Sequence, residues 1–463
     1  MSSQTPSAAL LLAAGKGTRM RSRYPKATHR ILGKPMGAYP LEICRRLGIP
    51  RLVLVVGHEA DAVREALGPE LEHVVQAEPR GTGHAVLAAR SRLEETRGAI
   101  LVLQADNALL TDEVVSRLCE RHAQTGAACT LLAVTPEDPA SYGRVVRAED
   151  GSVRAVVEAR GAAPEVLAVR EINAGAYVFD SARLWETLSR VEPDAATGEI
   201  YLTEVIRLLS EGGERVECVT ADDPRVGLSI NDRVELAAAT AIIRKRVLVE
   251  QMRAGVTIED PATTYIEPGV RIGIDTVIRP MTFLSGATEI GEECEIGPGA
   301  RITGCVLGDR VSVQQAVLTD STVGDECKIG PFAQLRPGCR VGRKVKIGNF
   351  VELKKAEVED GASMGHLAYI GDAFVGEKTN IGAGTITCNY DGKHKHRTEI
   401  GRRAFVGSHA TLVAPVSVGD GSFVAAGSVV TEDVPADDLA IGRARQVNKA
   451  GWARKRRELE GAE

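Results

Sequence analysis

Ile400-Gly-Arg-Arg-Ala-Phe-Val-Gly-Ser-His-Ala-Thr-Leu-Val-Ala-Pro-Val-Ser-Val-Gly-Asp-Gly-Ser-Phe-Val-Ala-Ala-Gly-Ser-Val-Val430 is the stretch whose spacing decides the fold. Aliphatic residues stand six apart at Ile400, Val406, Leu412, Val418, Val424 and Val430, and shorter runs join Ile290 to Ile296, Val323 to Ile329 and Val341 to Ile347. Many are followed directly by Gly. A six-residue period suits a prism wound from short parallel strands, one face per hexapeptide, with the aliphatic side chain filling the narrow interior and Gly, Asn or Asp accepting the corner turn. Each coil needs only its neighbours, so a long stack is stable as an array. An all-β sandwich would instead need period-two alternation and hairpin turns. The spacing predicts a left-handed parallel β-helix of hexapeptide repeats over residues 256–445, followed by a solvated tail at 446–463.

Composition agrees with that reading. The chain has 463 residues, enough for two or three domains, with 48 glycines and only 4% aromatic residues. Ring side chains rarely fit inside such a prism. Net charge is −5, and the only dense basic run, Arg454 to Arg457, lies in the tail, so no nucleic-acid partner is expected. The nine cysteines are odd in number and contain no CxxC pair, which predicts reduced thiols rather than a disulfide framework or a zinc site. The apolar run Ala8 to Ala14 is too short to span a membrane and lacks the basic start of a signal peptide, so a cytoplasmic protein with no membrane partner is expected.

Towards the N-terminus the pattern changes. Residues 8–231 alternate apolar runs (ALLLAA, RLVLVVG, AILVLQAD) with helical stretches at Leu41 to Leu47, Ala60 to Leu67, Gly83 to Leu93 and Asp112 to Gln124. The alternation predicts a doubly wound, Rossmann-like α/β sheet that binds ligands at the carboxyl ends of its strands. Residues 232–255 contain no Gly or Pro before Gly255, and read as one long linker helix capped by Asn231 or Asp232 and ended by Gly255.

After the first strand comes Leu12-Ala13-Ala14-Gly15-Lys16-Gly17-Thr18-Arg19-Met20, then Pro25-Lys26. The glycines let backbone N–H groups approach a phosphate chain, and Lys16, Arg19 and Lys26 supply cations for phosphoryl chemistry. A plain strand-to-helix turn would need no such cluster. In the other half the hexapeptide period is interrupted between Gly361 and Thr398, and polar residues gather there, including His366 and the string Gly382 to Gly392. An amine must lose a proton before it attacks a thioester, and an imidazole is suited to take it, so His366 is the candidate general base.

The Leu12 to Lys26 string resembles the signature of sugar-1-phosphate nucleotidyltransferases. Over nearly the whole chain the sequence is similar to the bifunctional bacterial UDP-N-acetylglucosamine pyrophosphorylase/glucosamine-1-phosphate N-acetyltransferase family. The resemblance implies acetyl transfer from acetyl-CoA to glucosamine-1-phosphate, then uridylyl transfer from UTP with release of pyrophosphate, feeding a bacterial cell-wall precursor. It makes Arg19 and Lys26 catalytic, and assigns the nucleotide to Leu12, Ala13, Gly15, Lys16, Gly17, Lys26, Gln76, Gly81 and Thr82. The sugar falls to Asp106, Gly143, Glu158, Asn173 and Asn231, and Mg²⁺ to Asp106 with Asn231; taken alone, Asp106 also reads as a strand-end cap. In the second half it implies Arg336, Lys354, Tyr369, Asn380 and Lys395 for the acceptor sugar phosphate. Ala383, Asn389, Tyr390, Ser408, Ala426 and Arg443 are implied for acetyl-CoA, and a homotrimer for the assembly.

One string departs from the family. Where the family has Tyr-Gly-Asp-Val-Pro, this chain has Gln104-Ala105-Asp106-Asn107-Ala108. Ala in place of Gly is expected to crowd the sugar pocket, and loss of the Tyr to remove a sugar contact. Two other readings stay open here: a nucleotidyltransferase of different specificity with the prism as trimerising scaffold, and a regulatory subunit with a decayed N-terminal site.

Overall fold

The computed structural model describes residues 5–461, and contacts divide the chain into two compact units, Met1–Arg246 and Val247–Glu463. The first unit is built on a nine-stranded sheet. Its strands are β1 (Ala8–Ala13), β2 (Leu52–Val56), β3 (Glu72–Val75), β4 (Ala99–Gln104), β5 (Cys129–Val134), β6 (Arg144–Arg147), β7 (Val153–Val157), β8 (Ile172–Asp180) and β9 (Val216–Thr220). The order is β9-β5-β8-β4-β1-β2-β3, with β6 pairing off the path against β8 and β7 pairing against β6. The three apolar runs read from the sequence, β1, β2 and β4, are adjacent and parallel. Their side chains are buried on both faces, which is why they read as continuous hydrophobic runs rather than alternating ones. The sheet is not parallel throughout: β8 runs antiparallel to both β4 and β5, and a register shift between Asn173 and Tyr177 bends its start.

The long helix spans Arg233–Arg253. Asp232, not Asn231, caps it, accepting from the backbone N–H of Val234 and of Glu235 at 2.8 Å each. Gly255 follows its end at φ +103°, a conformation a side chain would resist. The division between the two units falls within this helix, after Arg246.

In the second unit two faces of the prism join in a 19-stranded sheet, and the third is a separate nine-stranded sheet. All of their ladders are parallel, and the pairing follows the hexapeptide period: Val406 pairs with Val424, three hexapeptides on. Three interior columns result. One contains Ile296, Val313, Ile329, Ile347, Met364, Ile381 and Val406, the second Leu318, Leu335, Leu353 and Ile370, the third Val323, Val341, Val358, Val375 and Ile400. Two residues before many of these stands a small buried residue, as in Thr282 before Leu284 and Thr288 before Ile290. Their hydroxyls donate to the carbonyls of Arg279 and Ser285 at 2.8 and 2.6 Å, closing the corner. Cys294, Cys305, Cys327 and Cys339 occupy the same corner position, and burial pushes the Cys305 and Cys327 thiols up to about 11, so they are packing residues rather than nucleophiles.

The rings lie outside the prism, stacked between coils: Tyr265 on Phe283, Phe332 on Phe350 and Phe405 on Phe423, with centroids 5.3, 5.4 and 5.3 Å apart. The tail contains an exposed helix, Trp452–Glu460. The interruption expected at Gly361 to Thr398 is narrower than the sequence suggests. Coils continue through Ser363–Gly371, Asn380–Ile381 and Ile386–Cys388, and only a loop after Cys388 leaves the period, closed by a bridge between Tyr390 and Lys395. Thr387, buried in an aliphatic column, masked the repeat; its hydroxyl accepts from the Gly371 N–H at 2.8 Å.

Candidate functional site

In the first unit a cleft of about 280 Å³ opens at the carboxyl ends of β1 and β4. Leu12, Ala13 and Gly15 form one wall, Gln76, Gly81 and Thr82 a second, and Gln104, Ala105 and Asp106 a third. Lys26 enters from the turn after the Gly-rich loop, ion-paired to Asp106 and donating to Asn231 Oδ1 at 2.8 Å. The approach depends on Gly17, at φ +60°, where a Cβ would stand 2.7 Å from the Lys26 Cβ. Lys16 and Arg19 are exposed on the loop. Gln76 is buried and donates to the Gly81 carbonyl at 3.1 Å, and Thr82 Oγ1 accepts from the Leu202 N–H at 3.1 Å.

The resemblance assigns a cation to Asp106 with Asn231, and the donor set fits one. Asp106 Oδ1 is buried with no hydrogen-bond partner, and Asp106 Oδ2 and Asn231 Oδ1 converge on one ammonium. Oxygen ligands of this kind suit a hard divalent ion. Among the described residues no cluster of three or more His, Cys, Asp or Glu could hold a metal.

Of the sugar residues, Glu158 is held beside Gly143, its Oε1 accepting from Thr203 Oγ1 at 3.3 Å; burial pushes its carboxyl above the ordinary range. Asn173 donates to the Tyr177 hydroxyl at 2.6 Å and accepts from the Gly175 N–H at 3.2 Å. Ala105 is buried in the cleft wall, its methyl 3.4 Å from where a Cβ on Gly37 would stand. Glu199 and Tyr201 are polar residues of the cleft that went unread in the sequence. They flank Ile200, whose backbone pairs with Arg80 and Gly83, a tie between distant segments that no local pattern announces.

In the second unit His366 sits at a corner of the prism, two residues past Met364 in the strand Ser363–Gly371, and is exposed. Its Nδ1 lies 2.6 Å from Asn349 Oδ1, one coil earlier and directly in register. Asn349 was not singled out from the sequence, although the repeat register could have found it: it follows Ile347 as His366 follows Met364. The same offset in later coils gives Ala383 after Ile381, Ser408 after Val406 and Ala426 after Val424. Five residues thus form one axial column. Its rungs are locked by backbone bonds from His409 to Ala383 at 2.7 Å and from Gly427 to Ser408 at 2.8 Å. Arg443 lies beside Gly427 at the end of the column. Coils are about 4.8 Å apart, so His366 to Ala426 spans roughly 14 Å.

A second cluster occupies the neighbouring face. Lys354 pairs with Asp372 at 3.0 Å, both mostly buried, and Asn389 donates to the same carboxylate. Lys395, on the loop, faces the Lys354 ammonium, which lowers its pKa. Burial pushes the Asp372 carboxyl up, but bonds from Lys354 and Asn389 outweigh it and hold the group below its ordinary value. Arg336 pairs with Glu352 at 3.1 Å one coil before Lys354, and Tyr369 lies one coil after Glu352. Asp372 is the member that sequence reasoning missed. Tyr390 is exposed, its hydroxyl donating to the Gly392 carbonyl at 2.6 Å. Asn380 is not brought to Tyr369 within the chain: it stands on the first face, in register with Ser363 and Phe405.

A nucleotidyl transferase family model matches residues 8–224, a bacterial transferase hexapeptide model of six repeats matches 320–355, and a model of the hexapeptide repeat of succinyl-transferase matches 397–432. Fold and sites together define a two-part transferase, a nucleotidyl transferase followed by a hexapeptide-repeat transferase. Relatives named bifunctional protein GlmU match along almost the full length. That of Exiguobacterium sp. (strain AT1b) is 48% identical over 96% of this chain and 99% of its own. Those of Trichlorobacter lovleyi and Staphylococcus haemolyticus are each 45% identical, over 98% and 96% of this chain respectively and 99% of their own. The chain belongs to the family of bifunctional GlmU proteins. No described helix is long and apolar enough to cross a membrane.

Proposed function

We propose that the chain acetylates glucosamine-1-phosphate from acetyl-CoA in its β-helix, and joins the product to UTP in its N-terminal unit. The observation that carries this is the pairing of His366 with Asn349 at the head of the axial column. With Asn349 Oδ1 accepting, Nδ1 holds the imidazole proton and Nε2 keeps its lone pair. Nε2 takes a proton from the amine, the amine nitrogen attacks the thioester carbonyl, and the carbon–sulfur bond breaks to release the CoA thiolate. The column from Ala383 through Ser408 and Ala426 to Arg443 supports a bound pantetheine arm. Arg336, Lys354 and Lys395 hold the sugar phosphate, Tyr369 and Asn380 the sugar, and Asn389 and Tyr390 the reacting end of the cofactor.

In the other reaction an oxygen of the sugar phosphate attacks the α-phosphorus of UTP and displaces pyrophosphate. Lys16, Arg19 and Lys26 balance the charge on the phosphates, while Gln76, Gly81 and Thr82 hold the base. Asp106 and Asn231 hold Mg²⁺, which when bound neutralises charge on the two phosphates. The separation of Asn380 from Tyr369 supports a site completed between subunits, hence a homotrimer in the cytoplasm; a monomeric mass in light scattering would refute it. The pairing of intact site clusters in both units argues against a scaffold or a decayed regulatory subunit. Two separate assays decide: thiol release from acetyl-CoA with glucosamine-1-phosphate, and pyrophosphate release from UTP with N-acetylglucosamine-1-phosphate. Absence of either product removes that half of the function.

A further inference from the structure

The departure at Gln104 to Ala108 has a structural logic. Asn107 is 1% exposed, and ties together two strand ends. Its Oδ1 accepts from the Gln104 N–H at 3.2 Å, and its Nδ2 donates to the Ala174 carbonyl at 3.2 Å. Ala174 lies in the irregular start of β8, between Asn173 and Gly175. A single buried amide therefore fixes the end of β4, which carries Asp106, against the turn of β8.

That latch sets where Gln104 stands. Gly175 is at φ +74°, and a Cβ there would be 2.6 Å from Gln104 Nε2, so the carboxamide packs directly over a glycine that leaves room for it. Gln104 is half-buried and lines the cleft. Asn173 has both side-chain polar atoms taken up by Tyr177 and Gly175, and Glu158 Oε1 accepts from Thr203, whereas the Gln104 carboxamide has no hydrogen-bond partner among the described residues. A carboxamide in a cleft presents one acceptor and two donors in a plane.

We infer that Gln104 is a specificity-determining residue that pairs its carboxamide with the acetamido group of the acceptor sugar phosphate, and that Asn107 is the positioning residue that aims it. The acetamido group offers a C=O acceptor and an N–H donor, the complement of a carboxamide, whereas a sugar with a hydroxyl at that position makes one such bond only. A site built to hydrogen-bond a substrate group discriminates against an analogue lacking it, because its own polar atoms are left unpaired. The inference rests on the uridylyl transfer proposed above.

The test is calorimetric binding of N-acetylglucosamine-1-phosphate and of glucose-1-phosphate to the full-length protein, wild type and Gln104→Met, beside UTP turnover. Gln104→Met should weaken N-acetylglucosamine-1-phosphate binding on the order of ten-fold, weaken glucose-1-phosphate binding distinctly less because only one bond is lost there, and leave the KM for UTP unchanged. Asn107→Ala should raise the KM for the acetylated sugar phosphate more than that for UTP; a purely structural role would lower the melting temperature and move both. Equal binding by Gln104→Met and wild type overturns the inference alone. No binding of the acetylated sugar by the wild type overturns both the inference and the uridylyl transfer on which it rests.

Discussion

The Lys26 ammonium donates to Asn231 Oδ1 at 2.8 Å while ion-paired to Asp106, so one tethered cation joins the two residues that would hold a divalent ion. The three side chains come from distant parts of the chain, the loop after β1, the end of β4 and the segment just before the cap of the long helix. If those oxygens hold the metal as proposed above, metal and Lys26 compete for them in the ligand-free protein. Lys26→Met should raise the affinity of the free protein for Mn²⁺ several-fold while lowering uridylyl transfer by about a hundred-fold or more. Metal titration followed by electron paramagnetic resonance reads the first effect; unchanged affinity would remove the competition. Gly17→Ala, which forces a methyl onto the Lys26 side chain, should lower uridylyl transfer with acetyl transfer intact.

His366→Ala should lower acetyl transfer by about 10²- to 10⁴-fold without touching uridylyl transfer. Asn349→Ala should cost less and should alter the pH–rate profile, because it frees the imidazole to adopt the other tautomer. Retention of acetylation by His366→Ala would clear His366 of its role.

Glu158 gives a pH dependence of stability with a definite sign. Burial pushes its carboxyl up, so the folded state binds the proton more tightly than the unfolded state. The resulting penalty is absent below the ordinary carboxylate range, grows as pH rises through it, and is complete above the folded value. Glu158→Gln should therefore raise the melting temperature at neutral pH, with the gain fading in acid. A gain that is constant across pH would point to packing instead.

Leu353 lies fully buried in its column between Leu335 and Ile370. Leu353→Ala should destabilise the β-helix by about 2–5 kcal/mol through lost burial and a residual cavity, measured by denaturant unfolding. Phe405→Ala, removing an exposed ring stacked on Phe423, should cost about 0.5–1.5 kcal/mol. Equal losses would contradict the inside–outside assignment.

The six-residue spacing from Ile400 to Val430 was legible because every aliphatic residue fills the same narrow interior, and a change in any one would show. The break around His366 was read too wide because Thr387 fills an aliphatic position and satisfies its hydroxyl on Gly371, which no hydropathy pattern reveals. Lys26, Asp106 and Asn231 were each recognisable in local strings, and the structure adds that they touch. Asn349, Asp372 and Asn107 were hidden for a common reason: each acts through a hydrogen bond to a residue on another strand or coil, and the residue type alone reads as a turn or a surface polar. The antiparallel β8 was likewise invisible, since burial on both faces gives the same apolar run whichever way a strand points.

The axial column from Asn349 to Ala426 makes the prism a ruler. Each coil contributes one graduation of about 4.8 Å, and the backbone bonds between coils forbid intermediate settings. Removing a complete coil between His366 and Ser408 would shorten the scale by one division with every side chain still facing the same way. Removing a single hexapeptide would turn the remaining graduations onto another face, and the base and its partner groups would no longer share an edge.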